Sequence, residues 1–259
     1  MNLVSKDISH DFPSSNKIYL NNASVSLMPS QSIDAMKDFL ISYNSLGPDS
    51  KDSELFIAEK LSNVRKIIAK IISCQPNEIV LTQSTTDGIN IVANGLSFDN
   101  KSNIIIRGMT HEHHSNFYPW IKLKDKISVR SLSIDANGFF ELDDLKSNID
   151  ENTKLVSLSH ALYNTGSILP IQKISKLLNN KIPLFIDSAQ TIGCIGDHNV
   201  SKLNCNFMSF NGSKWLCGPM GTGLFYCNRK SSELLEPKTI GGESAIIEPD
   251  NNLIFKDLP

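Results

Sequence analysis

The 259-residue chain is short of cysteine and arginine, carries little excess charge, and has no long apolar run. Its five cysteines (Cys74, Cys194, Cys205, Cys217 and Cys227) are an odd number without a CxxC pair. That argues against a disulfide framework or a zinc site and fits a reducing cytoplasm. A net charge of -2 and a pI near 6.3 give no push toward nucleic acid or an anionic membrane. No apolar stretch approaches the length of a membrane span. Residues 1–7 lack the charged head and apolar run of a signal peptide. What is present, 40% hydrophobic and 20% charged residues, is the composition of a globular protein with a sizeable core.

Along the chain, helical and strand patterns alternate. Residues 30–46 and 51–73 predict amphipathic helices, with Leu55, Ala58, Leu61, Ile68 and Ile72 at helical spacing in the second. Short apolar runs predict strands at 78–82, 103–107, 127–130, 154–159, 182–186, 206–210 and 222–226. Between them, helices are expected at 85–97 (Ile89, Ile91, Val92 and Leu96 facing the core), 114–124, 141–148 and 171–179, with a turn at Asn137-Gly138. Strands separated by helices imply a three-layer α/β/α sandwich with a mainly parallel central sheet. Residues 236–259, rich in proline and glycine, read as a loop-rich exit without a terminal helix or strand.

Ligands on such sheets sit beyond the carboxyl ends of the strands, and four polar motifs fall there. Ser84-Thr85-Thr86-Asp87-Gly88 opens a helix, where hydroxyls and free N–H groups suit a phosphate; the plainer use is an N-cap. His111-Glu112-His113-His114-Ser115-Asn116 suggests a metal at first, but HExxH fails at Ser115, leaving an imidazole stacked on a flat ring or a solvated loop. Asp187, with Gln190 three residues later, ends a buried strand; a carboxylate there can pair with a buried cation or cap a helix. Lys214 follows the strand at 206–210, flanked by Phe210, Trp215 and Leu216, which argues against an ordinary solvated lysine. A lysine and a carboxylate at two strand ends are the groups a pyridoxal phosphate enzyme needs. The lysine forms the Schiff base, and the acid keeps the pyridine nitrogen protonated.

Thr85 to Asn90, Glu112 to Asn116, Asp187 to Gln190 and Gly212-Ser213-Lys214, taken in order, resemble the class V aminotransferase superfamily, in particular its cysteine desulfurase-like branch. The resemblance runs from Tyr19-Leu20-Asn21-Asn22-Ala23 to Gly241 and Gly242. It implies the large domain of a fold type I pyridoxal 5'-phosphate enzyme over 26–240, an N-terminal segment at 1–25 over the active-site side, and at 241–259 a connection to a C-terminal small domain that the chain lacks. It further implies that Lys214 carries the cofactor and moves protons, that His113 stacks on the ring, and that Asp187 pairs with the ring nitrogen. Gln190 would touch the ring oxygen, and Thr85, Thr86, Asn211 and Ser213 would hold the phosphate. Tyr163 and Asn164 would face the substrate, a small amino acid, most plausibly cysteine. A homodimer and a sulfur-acceptor protein follow as implied partners, with no nucleic acid, membrane or metal.

Two departures from the family pattern stand out. Ser213 replaces the usual histidine before the lysine, and Tyr163 stands where desulfurases place an asparagine. The second resembles carbon–sulfur lyase and epimerase-like relatives. None of the four arginines (Arg65, Arg107, Arg130, Arg229) lies in a substrate-carboxylate motif, and Cys217 reads as a packing residue. Three functions therefore stay open: a pyridoxal phosphate enzyme of this group, a catalytically weak cofactor-binding fragment, or a non-enzymatic partner protein.

Overall fold

Continuous apolar strands need cover on both faces, and the chain supplies it. The computed structural model describes residues 9–12, 18–196 and 198–255. Seven strands form one sheet: β1 (Ile79–Thr82), β2 (Asn103–Arg107), β3 (Ser128–Leu132), β4 (Thr153–Ser159), β5 (Leu184–Asp187), β6 (Phe207–Asn211) and β7 (Gly223–Cys227). Their order is β1-β7-β6-β5-β4-β2-β3. Neighbours from β3 through β6 run parallel, whereas β7 is antiparallel to both β6 and β1.

Strand periodicity divides the core in two. Ile105, Val156, Ile186, Met208 and Leu224 face α2 (Lys51–Ile72), α6 (Ile171–Leu178) and α7 (Val200–Leu203). Ile104, Ile106, Phe185, Phe207 and Phe225 face the opposite way, onto Ile89 and Val92 of α3 (Thr85–Gly95) and Trp120 of α4 (Tyr118–Ile121). Adjacent residues of one strand thus serve opposite layers, as a two-residue repeat requires. The expected three-layer sandwich is the observed fold.

The departures are local. The expected helix at 114–124 is broken into 3-10 turns at His114–Asn116 and Lys122–Asp125 around the four-residue α4. Pro119 lacks the N–H that a continuous helix would use and crowds the preceding turn. Pro183 likewise leaves the ladder to begin at Leu184 rather than residue 182. Helix α1 (Ser30–Leu46) forms as expected, but none of its residues is buried. In α2 only the second half reaches the core: Ile68 and Ile72 are buried, whereas Leu55, Ala58 and Leu61 are exposed. Ile91 of α3 is exposed as well, and Leu96 is half-buried. Residues 236–255, expected to be loop, contain a hairpin of β8 (Ala245–Ile247) and β9 (Leu253–Phe255). Three-residue strands closed by a turn carry too little periodicity to be read. The expected segments at 1–25 and 241–259 are covered in part; residues 1–8, 13–17 and 256–259 lie outside the described residues.

Gly138 confirms the expected turn, with φ +83° and its N–H donating to Asp135 O at 3.0 Å. Gly223 matters more to the site. A Cβ there would lie 2.3 Å from the Ser84 backbone nitrogen and 2.5 Å from Thr82 Oγ1. Its bare Cα lets β7 press against the entry to α3. Gly223→Ala should lower the melting temperature by roughly 2–10 °C, since overpacking costs about 1–3 kcal/mol. Gly241→Ala, whose Cβ would meet nothing within 4 Å, should leave it unchanged. Thermal melts of the two variants check this.

Candidate active site

The carboxyl ends of β4, β5 and β6 and the N-terminus of α3 border a cleft of about 510 Å³. At one end Ser84 caps α3, its hydroxyl accepting from Asp87 N at 3.1 Å. The expected cap is therefore real, and it coexists with the anion geometry of a helix N-terminus. Thr85 Oγ1 is buried and has no hydrogen-bond partner among the described residues. A buried hydroxyl normally finds a partner, so this one fits a ligand oxygen at the helix end. Thr86 and Asn211 also line this region, and Asn211 Nδ2 donates to the buried Ser213 hydroxyl at 3.3 Å. A Cβ on Gly88 would sit 2.3 Å from Ser209 Oγ, so the first turn of α3 is pressed onto β6.

Asp187 and Lys214 line the same cleft. They follow from neighbouring strands, since Asp187 ends β5 opposite Ser209 of β6, and Lys214 lies three residues beyond β6. Burial pushes the Asp187 carboxyl above its usual range, opposed by a hydrogen bond from Ala189 N at 2.9 Å and by the Lys214 charge. Burial holds the Lys214 amine below its usual range, opposed by Asp187. Each group is driven toward its neutral form and restrained by the other.

His113 lines the cleft, whereas His114 is exposed and stacked on Tyr118 at 4.8 Å. Ser115 N donates to His113 Nδ1 at 3.2 Å. Burial first, then the Lys214 and His114 charges, lower the His113 pKa. A neutral ring that accepts at Nδ1 carries its proton on Nε2. Tyr163 meets His113 edge-on at 5.1 Å and also lines the cleft. Asn164 does not line it; its amide lies 3.1 Å from His111 Nδ1. Gln190 lines the cleft, but its amide is engaged: Nε2 donates to Ala23 O and Oε1 accepts from Trp215 Nε1, both at 2.8 Å.

Several participants escaped the sequence reading. Glu112 is buried and accepts from His113 N at 2.9 Å, from Ser159 N at 3.4 Å and from the Ser159 hydroxyl. Arg107, fully buried at the end of β2, places Nη1 3.6 Å from Glu112 and donates from Nη2 to Gly138 O at 2.6 Å. Ser159, at the end of β4, lines the cleft, as do Asn21, Ala23 and Ser24 of the N-terminal segment. The strand-end rule that singled out Asp187 would have found Arg107 and Ser159. Asn21, Ala23 and Ser24 belong to the N-terminal segment that the family resemblance put over the active-site side, although no single one of them was expected in the cleft. Among the described residues no cysteine or arginine lines the cleft, and no group of three or more His, Cys, Asp or Glu could hold a metal. Burial pushes the thiols of Cys74, Cys205 and Cys227 up to about 12, far from thiolate chemistry. No described helix is long and apolar enough to cross a membrane.

This sheet order, with a lysine and a buried acid beside a helix N-terminus, is the large-domain architecture of fold type I pyridoxal phosphate enzymes. The chain belongs to the class V aminotransferase family, whose sequence profile matches residues 18–259. It is 30% identical over 258 residues to a probable cysteine desulfurase of Methanothermobacter thermautotrophicus, covering 98% of this chain and 64% of the relative. It is likewise 30% identical to a probable cysteine desulfurase of Pyrococcus abyssi, covering 92% of this chain and 60% of that relative. The apo structure of the cysteine desulfurase from Thermococcus onnurineus superposes with a TM-score of 0.87 at 28% identity, covering 98% of this chain and 64% of that one. The chain thus spans somewhat under two thirds of the length of these proteins.

Glu112 gives a pH test of this site. Burial first raises its pKa from 4.5 to about 7, against the hydrogen bond from Ser159 and the Arg107 charge. Between those values the folded state holds a proton that the unfolded state releases, so this group's contribution to stability falls as pH rises. Glu112→Gln should therefore flatten the decline of melting temperature between pH 5 and pH 7 relative to the parent, as read by a pH series of thermal melts. The non-titrating Arg107 charge shifts the whole curve without changing that slope.

Proposed function

We propose that the chain binds pyridoxal 5'-phosphate in this cleft and belongs to an enzyme that acts on a small amino acid, cysteine first among candidates. The observation that carries this reading is the convergence of Lys214 and Asp187 in one cleft beside the N-terminus of α3. The partnerless Thr85 hydroxyl and the glycines that press α3 onto the sheet fit a phosphate. Thr86 and Asn211 line the same cleft and would share that task, with Ser213, which does not line it, behind Asn211 as its hydrogen-bond partner. When bound, the cofactor supplies an electron-accepting ring that stabilises the carbanion left by a bond broken at the substrate α-carbon.

The protein groups divide the remaining work. The Lys214 amine, kept low in pKa by burial, is a nucleophile for the cofactor carbonyl and a carrier of protons to and from the substrate α-carbon. Asp187, ionised against a cation at the ring nitrogen, keeps that nitrogen protonated. His113, neutral and fixed through Nδ1, offers its flat face to the ring. The cleft wall also includes the small residues Ala23, Ser24 and Ala161. The desulfurase names of the relatives support cysteine as substrate. Tyr163, at the mouth beside His113, favours a second reading as a carbon–sulfur lyase. A homodimer and a sulfur-accepting protein belong to the proposal on the family resemblance alone.

The test mixes the purified chain with pyridoxal phosphate, reduces with borohydride and maps the adduct by mass spectrometry. The adduct should sit on Lys214, and Lys214→Ala should abolish it together with the visible absorbance band. Turnover of cysteine by that variant should fall by at least about 10²-fold, the low end for a positioned proton carrier. Alanine among the products marks a desulfurase, and pyruvate with sulfide marks a lyase. An adduct without turnover reduces the reading to cofactor binding, and no adduct overturns it.

A further inference from the structure

Residues 21–26 border the cleft through Asn21, Ala23 and Ser24 and are tied down by a small set of hydrogen bonds among the described residues. Ser26 N donates to Ser213 O at 2.8 Å, next to Lys214. Within the segment, Ser24 N and Val25 N both donate to Asn21 O, at 3.0 and 3.2 Å. Among the described residues the other tie to the body is Gln190 Nε2 to Ala23 O at 2.8 Å, while the Tyr19 hydroxyl, from the chain just before the segment, donates to Val25 O.

The geometry around Gln190 leaves its amide one orientation. The Trp215 indole N–H can only donate, so the atom facing it must be the amide oxygen. The Ala23 carbonyl can only accept, so the atom facing it must be the amide nitrogen. The two constraints agree. The Trp215 backbone passes close to Gly193, in the turn that follows Gln190, where a Cβ would lie 2.5 Å from the Trp215 carbonyl oxygen. Gly193 has φ +88°, a conformation that favours glycine. Nε2 carries a second proton, and Gln190 lines the cleft.

We propose that Gln190, oriented by Trp215, is a positioning residue that clamps residues 21–26 at the cleft, so that one amide nitrogen serves both this segment and an acceptor atom bound in the cleft. A bound acceptor that takes the second proton fixes the amide further and tightens the segment over the site. This part of the cleft wall is thereby ordered by occupancy of the cleft. The clamp stands on the protein's own contacts; its coupling to occupancy rests on the cofactor reading above.

Hydrogen exchange with mass spectrometry on the full chain, first without ligand, tests the clamp. Gln190→Ala should speed exchange at the amides of Ser24, Val25 and Ser26 by about 3- to 10-fold, as loss of one hydrogen bond implies. Gln190→Glu at pH 8 keeps the volume but replaces the donor with an acceptor, and it should behave as Gln190→Ala does. Trp215→Phe, which keeps a ring and loses the N–H, should give a smaller rise in the same amides. Parent-like exchange in Gln190→Glu would show that packing rather than the donated hydrogen bond holds the segment, and would overturn the proposal. Unchanged exchange in all three variants would overturn it too. Pyridoxal phosphate is then added. The parent should gain protection at these amides, and Gln190→Ala, given pyridoxal phosphate at a concentration raised until its absorbance band matches the parent's, should not. Equal gains in both overturn the coupling. Absence of a band in the parent overturns the cofactor reading, while the ligand-free comparison still decides the clamp.

Discussion

A half-buried amine and a buried acid, each disfavoured in its charged form by its surroundings, restrain one another beyond the carboxyl ends of two adjacent parallel strands. Lys214 and Asp187 form the inner part of a longer series. Asp187 also acts on Glu112, and Glu112 on Arg107, so that two carboxylates are flanked by two cations. Removing any one member leaves its neighbour as an uncompensated buried charge, which is costly. The series therefore fixes more than the titration of one lysine. It draws together the ends of β2, β4 and β5, through Arg107, Ser159 and Asp187, with the loops after β2 and β6 that carry Glu112 and Lys214.

This constraint explains why the supporting layer is polar where a core would ordinarily be apolar. Glu112 accepts from the backbone and hydroxyl of Ser159 and from the N–H of His113. It thereby ties the loop that carries the imidazole to the strand beside Asp187. Arg107 donates to the carbonyl of Gly138, in a turn where a Cβ would lie 2.8 Å from Arg107 Nη2. An asparagine–glycine turn distant in sequence from every chemical motif is thus held against the underside of the site.

How much of this was legible in the sequence depended on whether the signal was local. The strands of the parallel region are apolar enough to be read, and the rule that ligands gather beyond their carboxyl ends placed Asp187 and Lys214 together before any coordinates. The same rule applied to Arg107 and Ser159, but arginine and serine at strand ends look like solvated residues until the partner, Glu112, is seen underneath. Helix faces were read less well. Leu55, Leu61 and Ile91 fit a helical period yet point outward, because period sets which residues share a face and not whether anything covers that face. Pro119 was the local signal that should have shortened the helix at 114–124. The β8–β9 hairpin offered none.

The N-terminal segment was put over the active-site side by the family resemblance and not by its own residues. Asn21, Ala23 and Ser24 lie far along the chain from Gln190 and Lys214, and nothing in their composition marks them as part of a site. They reach the cleft through backbone groups: the Ala23 carbonyl to Gln190 and the Ser26 N–H to the Ser213 carbonyl. Backbone contacts carry no residue preference, so side-chain patterns cannot reveal them. What the sequence does hold is the complementary half, a glutamine with two amide protons, a tryptophan that can only donate, and a glycine that lets them meet. The hold on the segment therefore resides in Gln190, with Trp215 and Gly193 behind it, rather than in the side chains of the segment itself.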